Sequence, residues 1–215
     1  LLMRNEGRHI GRLVDTSSVW VTVFAFPVFL ASFSFSPALS RYVLGGSYAD
    51  TWPIMSVLAV GFLVETVLGF APQVLRAHAN LRPVLLADLT ALLVNIVLAL
   101  ALTPAFGALG AAASVSISSI VSAVFIMIAA RRVDPAACSW TTVGRLLAGV
   151  GTVSLAVAAI VFGLQPPLPV QVLLAVAGVA AVMFLNRRRL TVDDVFPELR
   201  RIPLVRWVIP RSPSV

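Results

Sequence analysis

The chain reads as an all-α polytopic membrane protein, a bundle of six transmembrane helices, and three observations predict it. Six apolar stretches, each near the ~20 residues a helix needs to cross hydrocarbon, are joined by short connections. Fifteen of the sixteen arginines fall on one side of these stretches and only Arg41 on the other. Hydrophobic residues make up 59% of the sequence and charged residues 12%, with a mean hydropathy of +0.98. A soluble domain carries about twice that charged share, so the bilayer is the solvent.

The arginine-rich side comprises Arg4, Arg8 and Arg12 before the first stretch, Arg76 and Arg82 after the second, and Arg131, Arg132 and Arg145 after the fourth. Arg187, Arg188, Arg189, Arg200, Arg201, Arg206 and Arg211 follow the sixth. Basic loops stay in the cytoplasm, so both termini are expected there.

Residues 1–16 place Ile10, Leu13 and Val14 at helical spacing against Arg4, Arg8 and Arg12. That pattern predicts an amphipathic helix lying on the membrane. The bundle is expected over 17–187. Its first span, 17–39, is aromatic and holds Pro27, which removes a backbone donor and predicts a bend at mid-span. Gly45 and Gly46 open the connection that follows, with Tyr48 and Trp52 at headgroup depth. The second span is 53–75 and the third 85–102.

The run Thr103, Pro104, Ala105, Phe106, Gly107 is an uncharged turn that predicts an antiparallel hairpin between the third span and the fourth, 108–130. Gly110, Ser114, Ser118 and Ser122 recur every four residues on the fourth span. Small residues at that spacing let helices approach closely in lipid, so helix packing is their first reading and sugar contact their second. Spans five (146–164) and six (170–186) are alanine, valine and leucine, joined through Gln165, Pro166, Pro167, Leu168 and Pro169. The tail, 188–215, mixes acids, arginines, Trp207 and prolines, which suits short interfacial helices.

A formal net charge of +7 raises the question of nucleic acid, but the cations sit in clusters beside spans rather than on one face. Anionic lipid headgroups are the expected partner, and no nucleic acid. Cys138 is the single cysteine, so no disulfide or cysteine metal site forms within the chain. No lysine is present, which removes the P-loop, and no zinc-protease or membrane-protease motif stands in the sequence. No enzyme class and no cofactor is expected. His9 and His78 both fall in connecting segments. The opening residues show no signal peptide and read as the interior of a longer gene product.

Two acids lie within spans. Glu65 sits near the middle of the second, on a four-residue stripe with Gly61, Gly69 and Gln73. A charge there costs about 2.5 to 3.5 kcal/mol on insertion scales, so it is expected to face the bundle or a water cavity, and to point into the bundle first. It is then either a proton or cation site or a protonated acid bonded between helices. Asp88 lies about a turn inside the third span, with Asn95 seven residues on. Asp88 can reach the interface or pair with Arg76 or Arg82, and Asn95 serves as helix-to-helix glue or as a ligand. Glu65, Asp88, Asn95 and Gln73 are the candidates for substrate or ion coupling.

The runs from Tyr42 to Tyr48 (Tyr-Val-Leu-Gly-Gly-Ser-Tyr), from Pro53 to Leu58, from Gln73 to Asn80 and from Asn95 through Pro104 and Gly107 to Gly110 resemble the C-terminal part of bacterial polysaccharide flippases. These belong to the multidrug, oligosaccharidyl-lipid and polysaccharide transporter superfamily. The resemblance covers residues 4–132, with the last two spans alike only in hydropathy. It implies a MATE-like, two-lobe transporter that flips undecaprenyl-pyrophosphate-linked glycans across the bacterial cytoplasmic membrane by alternating access. This chain would supply the last six helices, with an N-terminal lobe of the same polypeptide as partner. The resemblance assigns no role to Glu65.

A multidrug or lipid II exporter of the same fold is the near alternative. A non-transporting scaffold for glycan assembly is the alternative of a different class. A membrane glycosyl- or acyltransferase would need an interfacial acid or histidine constellation that the sequence lacks.

Overall fold

The computed structural model describes residues 2–135, 140–164 and 166–186. Among them no strand occurs, and six helices are long and apolar enough to cross a membrane: Ser17–Ser34, Trp52–Ala77, Arg82–Phe106, Ala108–Val133, Trp140–Leu164 and Pro169–Asn186. The protein is an all-α, multi-pass membrane bundle. The six match the apolar stretches one for one, because length and hydropathy alone set them. The expected tail over 188–215 lies outside the described residues, as do Cys138 and Gln165.

Helix α1 runs from Leu2 to Ser34 without interruption. The expected boundary between an interfacial helix and the first span is therefore not a break in the backbone, since nothing between them stops a helix. Nor does α1 end at Pro27. The interruption comes at Phe35 (φ −108°, ψ 15°), after which α2 spans Ser36–Leu39 and a wider helical turn covers Ser40–Leu44. Pro37 explains the place: it has no N–H for the Phe33 carbonyl. That carbonyl instead accepts the Ser36 hydroxyl at 3.1 Å and the Ser56 hydroxyl at 3.4 Å.

Gly45 (φ 98°) begins the turn back into the membrane, a backbone conformation that favours glycine. A tight helical turn, Gly46–Thr51, leads into α3, Trp52–Leu68. The second span is not one helix. It breaks at Gly69 and Phe70 and resumes as α4, Ala71–Ala77, with Pro72 in its first turn. Pro72 supplies no N–H to the Leu68 carbonyl, and the Gly69 N–H bonds the Thr66 carbonyl at 3.2 Å instead of the usual partner four residues back.

Helices α5 (Arg82–Phe106) and α6 (Ala108–Val133) form the expected antiparallel hairpin, but the expected five-residue turn is shorter: Thr103 to Phe106 belong to α5, and the chain turns at Gly107 alone (φ 57°, ψ −135°). Helices α7 (Trp140–Leu164) and α8 (Leu168–Asn186) complete the bundle. α6 packs against both α5 and α3, α3 against α1, and α7 against α1, α3 and α8.

Two apolar clusters hold these contacts. One joins α1, α3, α7 and α8 through Phe26, Leu30, Leu63, Val67, Val150 and Val182. The other joins the α3–α4 break to the hairpin through Leu68, Leu75, Ala87, Ile126, Met127 and Ala130. α5 stands at the edge, with Ala87 its one buried residue.

Candidate functional site

The seam between α3 and α6 is set by a missing side chain. Gly61 is buried, and a Cβ there would lie 2.7 Å from the Ser116 Cα, a distance real atoms do not tolerate. Ser116 then reaches across to donate to the Val57 carbonyl at 2.9 Å. At this separation the Ser116 side chain makes a hydrogen bond across the seam that lipid cannot offer.

Glu65 lies one turn beyond Gly61 and is exposed. The expectation that it points into the bundle is corrected. Four residues of α-helix advance about 400°, so each step of a four-residue stripe rotates by about 40°. Gly61 faces Ser116, and Glu65 has already turned off the seam. Gly69 is exposed as well, and Gln73 is exposed on α4, beyond the break. The stripe read from the sequence is thus a winding line over two helices rather than one face.

By position Glu65 remains at mid-depth. It stands thirteen residues after Trp52 and twelve before Ala77 (65 − 52 and 77 − 65), the ends of its span. A carboxyl at that depth is stable where it meets water, a polar partner or its own proton.

Asp88 is exposed near the start of α5. Asn95 is half-buried and donates from Nδ2 to the Ser118 hydroxyl of α6 at 3.2 Å. Ser118 in turn donates to the Val115 carbonyl at 2.8 Å, and Ser114 to the Ala111 carbonyl at 2.7 Å. Gly110, Ser114 and Ser118 are buried, while Ser122 is half-buried. Gly110 meets the Leu102 carbonyl so closely that a Cβ would come within 2.3 Å of it. This end of the stripe packs α5 on α6. Of the polar candidates, the structure joins Asn95 to Ser118; Glu65, Asp88 and Gln73 occupy three different helices.

Sequence reasoning passed over buried serines where α1 meets α7 and α2 meets α3. Ser34 donates to the Ser154 carbonyl at 3.1 Å, and Ser36 and Ser56 share a hydrogen bond of 2.9 Å. Ser34, Ser36, Ser40 and Ser154 are all buried. Serines at 32, 34 and 36 beside Pro37 were the available signal, since hydroxyls cluster where a span's backbone ladder is broken.

Compared with protein-family models, curated proteins and solved structures, the chain finds no match.

Proposed function

We propose that this chain is one lobe of a non-enzymatic membrane transporter that flips an undecaprenyl-pyrophosphate-linked oligosaccharide across the bacterial cytoplasmic membrane. In this reading both termini are cytoplasmic. Alternating access rocks one helical unit against another around a site near the midplane. The observation that carries the reading is Glu65: a mid-span acid facing outward from its own bundle. A half-transporter presents such a polar midplane surface to the substrate path, whereas a self-contained bundle would bury it.

The glycan class rests on the resemblance of the runs 42–48 and 95–110 to polysaccharide flippases. Two positions in those runs have physical work in the fold: Gly45 takes a positive φ at the turn, and Gly110 lets the α5–α6 hairpin close. Deleting the whole parent gene tests the function. Surface glycan should fall and its lipid-linked precursor should accumulate on the cytoplasmic leaflet, with restoration by the whole gene. Normal export in a deletion strain that has no second flippase overturns the reading.

A further inference from the structure

We draw no further inference here: the strongest candidate, the buried contact of Ser34 on α1 with Ser154 on α7, where the Ser154 hydroxyl is without a hydrogen-bond partner, carries nothing, because a helical serine hydroxyl can turn to a carbonyl of its own preceding turn and nothing in the structure shows what it would bind.

Discussion

Gly61 of α3 and Ser116 of α6 touch backbone to backbone, with room for a hydrogen atom and not for a methyl group. The Ser116 hydroxyl bridges the same crossing to the Val57 carbonyl. In lipid, where apolar side chains gain nothing by leaving the solvent, such contacts are what holds two helices together.

Gly61→Ala should therefore destabilise the bundle by about 1 to 3 kcal/mol, the usual cost of overpacking, despite alanine's better helix propensity. Gly144→Ala, where a Cβ meets nothing within 4 Å, is the matched control and should be neutral or mildly stabilising. Thermal unfolding in one detergent distinguishes them; equal midpoints for the two variants would refute the close crossing.

Asn95 and Ser118 offer a second measurement. A double-mutant cycle with Asn95→Ala and Ser118→Ala should give a coupling near 0.6 kcal/mol, the average for interhelical hydrogen bonds in membranes. A coupling indistinguishable from zero would mean that the 3.2 Å contact contributes no net stability.

Under the proposed function, Glu65→Gln should leave membrane insertion and thermal stability near wild type, because the side chain is outside the packed seam, yet lower glycan transport. Flux assayed in inverted vesicles across a pH series reads this directly. Wild-type flux at every pH would remove Glu65 from the coupling machinery.

The fifteen-to-one division of arginines predicts orientation. In a Cys138→Ser background, a cysteine at Ser47 should react with an impermeant thiol reagent on intact cells, and a cysteine at Ser139 should react only after lysis. The opposite pattern would invert the topology.

The spans were legible in the sequence because crossing hydrocarbon needs only length and apolarity, and the α5–α6 hairpin because Gly107 supplies its turn, although Thr103 to Phe106 remain helical as the end of α5. The direction of Glu65 was not. A four-residue repeat looks like a face on paper, but its rotation per step carries Glu65 off the seam that Gly61 occupies, and the break at Gly69 and Phe70 removes Gln73 from it.

The two prolines of the first span differ in their effect: α1 stays helical through Pro27. Pro37 ended the regular ladder near Phe35 with serine hydroxyls taking over the Phe33 carbonyl. Which proline interrupts a span depended on what else could reach the orphaned carbonyl, and those donors lie partly on another helix.

Helix α5 is packed along one side, against α6, and exposed elsewhere, with Ala87 buried and Asn95 tied to Ser118. Its outward residues, among them Leu89, Leu93, Val97 and Leu100, answer to no particular neighbour. Two grammars are written into the same twenty-five residues: a strict one along the seam, where shape and a single amide matter, and a permissive one around the rest, where any oily residue of helical habit is a synonym.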